Sequence, residues 1–126
     1  MYKKTVYIPI EITKRELDGA ILLSLHGKKH NYRTIFGSKE AIFNYLKLKK
    51  QKSGIFFYKG GLEKKLCEFI DKKCENHVIC DQEIGPINND ELKKKIFNRF
   101  YDDTFKFISR YYCCDKEILK NAKKVL

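Results

Sequence analysis

The sequence predicts an α/β domain with a mostly parallel sheet of about five strands and helices on both faces, a Rossmann-like arrangement. Short β-rich apolar runs alternate with amphipathic segments, and successive predicted strands begin about 22 to 33 residues apart, as βαβ units do. The 126 residues amount to one domain with a substantial core. Because no linker or low-complexity tract interrupts them, we expect residues 1–126 to form a single domain.

The first βα unit has the clearest local signals. Residues 5–10 (TVYIPI) predict the first strand, with Pro9 near its end. Thr13 and Glu16 have the spacing of a capping box at the start of a helix, and Gly27 is the predicted helix stop. The apolar side of this helix, at helical spacing, consists of Leu17, Ala20, Ile21, Ser24 and Leu25.

The same alternation continues along the rest of the chain. Further strands are predicted at residues 32–36, 54–58, 77–80 and 110–114. Ser38 is the predicted N-cap of the second helix, the third helix covers residues 62–73, a fourth covers residues 90–100, and Asp115 can cap a last one. The residues expected to be among the most buried are Leu25, Ile35, Phe56, Leu66, Ile70 and Ile79.

The five cysteines predict free thiols. Their number is odd, and no C-x-x-C pair occurs. Cys67 and Cys74 lie seven positions apart on the predicted third helix, but a metal site there would need a further ligand such as His77. Because the usual zinc spacings are absent, we expect buried thiols in a reducing compartment and no bound metal.

The charge is strongly basic. Lys and Arg total 27 against 16 acidic residues, a net charge of +11. Many lysines fall on the expected outer faces of helices, which favours solvated surfaces over a dedicated polyanion site. Arginine, the usual residue for bidentate base and phosphate contacts, is scarce, so we expect no specific nucleic-acid binding. Peripheral contact with an anionic membrane surface stays open.

Apolar runs in the sequence are short. None approaches the roughly 20 residues of a membrane span. The beginning of the chain lacks the long apolar stretch and the small-residue cleavage site of a secretory signal. These features predict a cytoplasmic protein.

The candidate site residues follow from topology. Ligands of open parallel sheets bind beyond the carboxyl ends of the strands, and those ends share one edge. No G-x-G-x-x-G follows the first strand, and neither a Walker A sequence nor a G-x-S-x-G elbow occurs, so no cofactor is predicted. The polar residues at or near the predicted strand ends, which we expect to gather at this edge, are Glu11, Arg15, Glu16, Lys59, Asp81 and Glu83.

Two readings remain open for three of these residues. Glu11 could act as a catalytic base or hold a sugar hydroxyl, or it could simply be a carboxylate near a helix N-terminus. Arg15 could bind a phosphate, or it could pair with Glu11 or Asp18. For Glu16 the capping role is the stronger reading.

The motifs also resemble a known family. IPIEITKREL, the following GAILLSL and a strand that ends at Gly37 are similar to the beginning of the bacterial surface carbohydrate biosynthesis protein family. GIFFYKG, HVICDQEIG with Asp81 and Glu83, and RYYCCDKEILKNA resemble later segments of that family in the same order. The resemblance spans roughly residues 5 to 126.

This resemblance implies a fold like the N-terminal domain of a two-domain GT-B glycosyltransferase. Such proteins build surface polysaccharide from a nucleotide-activated sugar, and their N-terminal domain faces the glycan or lipid-linked acceptor. By position, the six candidate residues would line the cleft between the domains. Relatives continue for several hundred residues, so the resemblance implies that this chain lacks the donor-binding domain, as a truncated gene product, a split subunit or an excised domain would. We expect it to be inactive without a second domain or partner.

Two alternatives from other classes are kept. One is a non-catalytic basic module that binds polyanions, which a steep salt dependence of binding would identify. The other is a Rossmann-like domain that binds a small molecule without sugar transfer.

Overall fold

The computed structural model describes residues 1–81, 91, 94, 103–113, 116 and 120. The elements along the chain are β1 (Lys4–Ile10), α1 (Thr13–Lys29), β2 (Tyr32–Ser38), α2 (Lys39–Leu48), β3 (Ile55–Tyr58), α3 (Lys64–Lys73), β4 (Asn76–Asp81), a 3₁₀ turn (Phe105–Phe107) and β5 (Arg110–Cys113). Residues 91, 94, 116 and 120 are helical, and the rest of the two predicted C-terminal helices lies outside the described residues, as do Glu83 and Cys114.

The five strands form one parallel sheet in the order β2-β1-β3-β4-β5, which confirms the predicted fold class. Val6 of β1 pairs with Thr34 of β2 on one side and with Ile55 of β3 on the other. This strand order is that of flavodoxin-like doubly wound proteins, in which the chain reverses its direction of winding between β1 and β3. The carboxyl ends of β1 and β3 therefore flank the crevice where such sheets bind ligands.

Each face of the sheet is covered by helices because alternate strand residues point to opposite sides. Tyr7, Phe56 and Tyr58 pack on one face with residues of α2 and α3, where Phe56, Leu46 and Ile70 have no exposed surface. Ile8 and Ile10 pack on the other face against Ala20 of α1. Helices on both faces were predicted, and the described elements confirm it.

Of the six residues expected to be among the most buried, three are and three are not. Phe56, Ile70 and Ile79 are fully buried, whereas Ile35 and Leu66 are half-buried. The prediction for Leu25 is wrong, since 58% of it is exposed. Helix α1 contacts the sheet through Ala20, and Leu25 lies about 140° further around the helix, on its outer side.

Both predicted ends of α1 need correction. Ile12 is the N-cap and Thr13 already lies inside the helix, with no side-chain cap. Glu16 instead reaches back to the amide of Glu11, which lies just after β1 and donates to Glu16 Oε2 over 2.9 Å. The helix also passes Gly27 and ends at Lys29, because the turn uses the left-handed conformation of Asn31 (φ 64°), which asparagine tolerates well.

The second helix begins as predicted, since Ser38 Oγ accepts a hydrogen bond of 3.2 Å from the amide of Ala41.

Two lysines donate hydrogen bonds to carbonyl groups at the ends of α2 and α3. Lys73 Nζ donates to the carbonyl oxygen of Lys49 over 2.6 Å, and Lys49 Nζ donates to that of Lys73 over 3.1 Å. Each lysine thus satisfies a carbonyl at the end of the neighbouring helix.

Gly54, just before β3, cannot accept a side chain without strain. Its φ is +84°, and a Cβ there would lie 2.6 Å from the carbonyl oxygen of Thr5. We predict that Gly54→Ala lowers the free energy of unfolding by about 2–4 kcal/mol in urea denaturation. Gly19→Ala is the matched control: no atom lies within 4 Å of its Cβ position, and the helical alanine should stabilise by roughly 0.5–1 kcal/mol. Equal stability of the two variants would contradict this account.

His77 should make the fold sensitive to acid. Its side chain is buried, packs edge-on against Phe56 and has no hydrogen-bond partner for either ring nitrogen among the described residues. Burial lowers the pKa of His77 from 6.5 to about 4. Since the unfolded chain takes up a proton below pH 6.5 and the folded one resists it, stability should fall by about 3 kcal/mol between pH 6.5 and 4.

The variant His77→Leu should flatten that part of the pH profile. The measurement is the free energy of unfolding from urea curves between pH 7.5 and 4, read alongside the wild-type chain. An unchanged slope in the variant would show that another group causes the acid sensitivity.

Candidate functional site

A charged cluster lies at the carboxyl ends of β1 and β3, the point where the winding reverses. Glu11 directly follows β1, Tyr58 is the last residue of β3, and Lys59 directly follows it. Lys39 begins α2 just after the end of β2, and Glu16 lies in the first turn of α1. Five side chains from separate parts of the chain therefore meet at one edge of the sheet.

Glu11 is the centre of the cluster. Its Oε1 accepts hydrogen bonds from the hydroxyl of Tyr58 and, over 3.2 Å, from Lys39 Nζ. Its Oε2 lies 3.3 Å from Lys59 Nζ. Tyr58 packs on the face of the sheet that α2 and α3 cover, whereas Lys59 contacts α1 on the other face. The Glu11 carboxylate therefore connects the two faces at the carboxyl ends of the strands.

Lys59 bridges two carboxylates. Its Nζ donates to Glu16 Oε1 over 2.6 Å in addition to its contact with Glu11. The second oxygen of Glu16 accepts the amide of Glu11, and Arg15 Nη2 lies 3.7 Å from Glu16 Oε1. Glu16 is thus a partner of three neighbours rather than a member of the predicted capping box.

The pKa shifts of Glu11, Glu16 and Lys59 all favour the charged form of each group. The hydrogen bond from Tyr58 is the largest influence on Glu11 and, with Lys39 and Lys59, lowers its pKa to about 2. Burial is the largest single influence on Glu16 and Lys59 and opposes their ionisation, but their mutual hydrogen bond together with their contacts to Glu11 outweighs it, so the pKa of Glu16 is lowered and that of Lys59 is raised. A carboxylate with so low a pKa is a weak proton acceptor, which favours a hydroxyl-holding role for Glu11 over that of a base.

A cleft of about 270 Å³ opens beside the cluster, between α1 and the ends of β3 and β4. Its apolar lining includes Ile8, Ala20, Leu23 and Phe57. Arg15, Glu16 and Lys59 provide its polar lining. A concave apolar surface with a few converging charged groups is the usual form of a small-molecule site.

The structure brings most of the predicted residues together. Glu11, Arg15, Glu16 and Lys59 form one connected group, as the shared strand edge predicts. Asp81 ends β4 at the same edge, where it is buried and accepts a hydrogen bond of 3.4 Å from the hydroxyl of Tyr111. Glu83 lies outside the described residues.

Two members of the cluster were missed from the sequence. Tyr58 is the last residue of the predicted third strand, and the sequence pattern counts it as an apolar strand residue although its hydroxyl lies at the strand end. Lys39 follows Ser38, the correctly predicted N-cap, so its position at the start of α2 put it at the same edge. Lys59 was selected because it follows the end of a parallel strand. Extending that rule to the last residue of each strand and the first residue of each helix selects Tyr58 and Lys39 as well.

The residues that the structure describes contain no cluster of potential metal ligands. Over the residues that the structure describes, no group of three His, Cys, Asp or Glu side chains is placed to hold an ion. Cys67 and Cys74 are free thiols, and burial raises the pKa of each to about 11. Cys80 of β4 and Cys113 of β5 are half-buried.

The fold and the cluster define an α/β protein with a flavodoxin-like strand order and a charged cleft at its switch point. No protein-family model matches the chain, and neither a curated protein nor a solved structure matches it significantly. None of the helices in the described residues combines the length and hydrophobicity that crossing a membrane requires.

Glu11 should contribute to stability in a pH range below that of His77. Its pKa is 4.5 in the unfolded chain and about 2 when folded, so its contribution is complete above pH 4.5 and lost as the pH falls towards 2. The side chain is 34% exposed, and solvent screening reduces the expected contribution to about 1–2 kcal/mol.

The test compares Glu11→Gln with Asp71→Asn, which removes an exposed ion pair with Lys52 elsewhere on the molecule. Glu11→Gln should lose about 1–2 kcal/mol at pH 7 and show a flatter profile from pH 4.5 to 2, whereas Asp71→Asn should change stability by less than about 0.5 kcal/mol. Equal effects would mean that the Glu11 contacts contribute no more than a surface pair.

Proposed function

We propose that this domain holds a hydroxyl-rich, phosphate-bearing acceptor in the cleft beside Glu16 and Lys59, as the acceptor-side domain of a glycosyltransferase-like protein of surface polysaccharide synthesis. The observation that carries the proposal is the ionised Glu11–Lys59–Glu16 group at the β1–β3 switch point, next to an apolar cleft. Sugar phosphates combine the hydroxyls, the anionic group and the weakly polar ring faces that such a lining suits.

Each part of the cleft has a role in this proposal. The Glu16 carboxylate, which lines the cleft, accepts hydrogen bonds from sugar hydroxyls, and Glu11 beside the cleft stays ionised and holds Lys59 in position. Arg15, more than half exposed at the rim, suits bidentate contact with a phosphate. Phe57, Ala20 and Leu23 provide the apolar surface on which a sugar ring can pack.

Sugar transfer would require a donor-binding domain or partner chain. Transfer depends on holding the donor and the acceptor together in a reactive geometry, and the proposed cleft holds one of them. The nucleotide-sugar donor would then be bound by the second domain, as in two-domain glycosyltransferases. On this proposal the cleft selects the acceptor and positions its hydroxyl.

A non-catalytic small-molecule-binding domain is the second candidate. The lowered pKa values of Glu11 and Glu16 favour it, since neither carboxylate is an effective proton acceptor at neutral pH. Both candidates require the same ligand chemistry, and they differ in whether a bound sugar is turned over when a donor-binding partner is supplied.

Binding is tested by calorimetry with a panel of hexose 1-phosphates and the corresponding free hexoses. Arg15→Gln should weaken the binding of the phosphorylated ligands about tenfold, as expected for loss of one charge-assisted contact, and leave the free hexoses unaffected. Gly19→Leu should abolish binding of both, because Gly19 lines the cleft and a side chain there meets open space rather than the core. Both variants should keep the wild-type fold.

Lys52→Gln is the matched control, since it removes a cation that pairs with Asp71 away from the cleft. It should bind the panel like the wild-type chain. Failure of the whole panel to bind, or an unchanged affinity in both Arg15→Gln and Gly19→Leu, would refute the assignment of the cleft.

A further inference from the structure

The outer side of α1 carries exposed leucines. Leu22 is 69% exposed, Leu25 is 58% exposed, and Ile21 beside them is 41% exposed. They lie away from Ala20, which faces the sheet, so α1 is apolar on its outer side as well as its inner side. Leucines that contribute nothing to the core are costly to expose together in water, and such groups commonly mark an interaction surface.

Two lysines and a histidine lie beside these leucines. Lys28, Lys29 and His26 line the same shallow depression as Leu22 and Leu25. The amide of Lys3 donates a hydrogen bond of 2.7 Å to the carbonyl oxygen of Asn31, which holds the segment before β1 beside the end of α1. That segment carries the exposed side chains of Tyr2 and Lys3. The α1 surface is defined here as Leu22, Leu25, His26, Lys28 and Lys29.

We propose that the α1 surface docks this protein onto an anionic lipid bilayer. Leucines that enter the headgroup region beside lysines that remain at its charged boundary are the usual combination of interfacial helices. Lys28 and Lys29 have long aliphatic stems that can follow the leucines while the ammonium groups stay in water.

Charge separates the bilayer from other occupants. A symmetric contact between two copies would bring the lysines of both α1 surfaces into one interface, on chains that each carry a net charge of +11. Nucleic acid would match the lysines but would leave Leu22 and Leu25 without an apolar partner. An anionic bilayer matches both the leucines and the charge.

The position of the α1 surface keeps the proposed ligand cleft accessible. Helix α1 begins near the carboxyl end of β1 and ends before β2 begins, so its last turns lie at the edge of the sheet opposite Glu11 and Lys59. Membrane docking can therefore occur with the cleft empty or filled. The inference is independent of the proposed function, and either can fail without the other.

The experiment measures sedimentation of the protein with vesicles of phosphatidylcholine, with and without phosphatidylglycerol. Binding should require phosphatidylglycerol and fall steeply as salt is raised. The double variant Leu22→Ser and Leu25→Ser should lower the partition coefficient at least about tenfold, because two apolar side chains no longer enter the bilayer. Lys28→Gln with Lys29→Gln should lower it several-fold.

Matched controls come from the opposite face. Leu48→Ser changes a leucine that is 82% exposed at the end of α2, and Lys65→Gln with Lys72→Gln removes two exposed cations of α3. Both should bind vesicles like the wild-type chain, and thermal unfolding should confirm that all variants are folded.

Three results would overturn the proposal. The first is a lack of binding to phosphatidylglycerol vesicles, or equal loss in the control variants. The second is a wild-type dimer in analytical ultracentrifugation that the leucine variant dissociates, which would assign the surface to a second copy. The third is vesicle binding that depends on the lysines but not on the leucines, together with salt-sensitive binding of duplex DNA, which would assign it to a polyanion.

Discussion

The contacts of the Glu11 carboxylate hold together the edge of the sheet at which the carboxyl ends of the strands lie. It joins Tyr58 and Lys39 on one side of the sheet to Lys59 on the other, and the amide of the same residue holds Glu16 in place. The carboxylates of Glu11 and Glu16 and the ammonium group of Lys59 remain charged because their mutual contacts compensate their burial. The arrangement therefore fixes the entrance of the cleft and its electrostatic character at the same time.

The parallel sheet could be predicted because the three central strands, β1, β3 and β4, are at least half-buried on both faces over most of their length. Runs such as GIFFY and HVIC are too short and too β-branched or aromatic for helices, and the helical segments between them force parallel pairing. Helix α1 was harder to predict because its apolar residues surround the helix, so periodicity alone did not distinguish Leu17, which packs on the sheet, from Leu25, which faces outward. The end of α1 was misassigned because Gly27 and Asn31 are both residues that can terminate a helix, and the structure uses the second.

The site was predictable in position and less so in chemistry. The shared edge of parallel strands was enough to select Glu11, Arg15, Glu16 and Lys59 from the sequence. The protonation of Glu11 was not predictable, because it depends on the Tyr58 hydroxyl and on Lys39, whose approach follows from the order of β2, β1 and β3 in the sheet. A glutamate that the sequence allowed as a base is, in this setting, held as an acceptor of hydrogen bonds.

The net charge of +11 has several separate structural origins. Lys49 and Lys73 close the ends of α2 and α3, so their charges interact with helix carbonyls. Lys39 and Lys59 are matched by the carboxylates of the cluster. Lys28 and Lys29 instead lie next to exposed leucines at the far end of α1. Because the same residue type serves helix ends, an ion network and an amphipathic surface, the net charge alone does not identify which lysines form a binding surface.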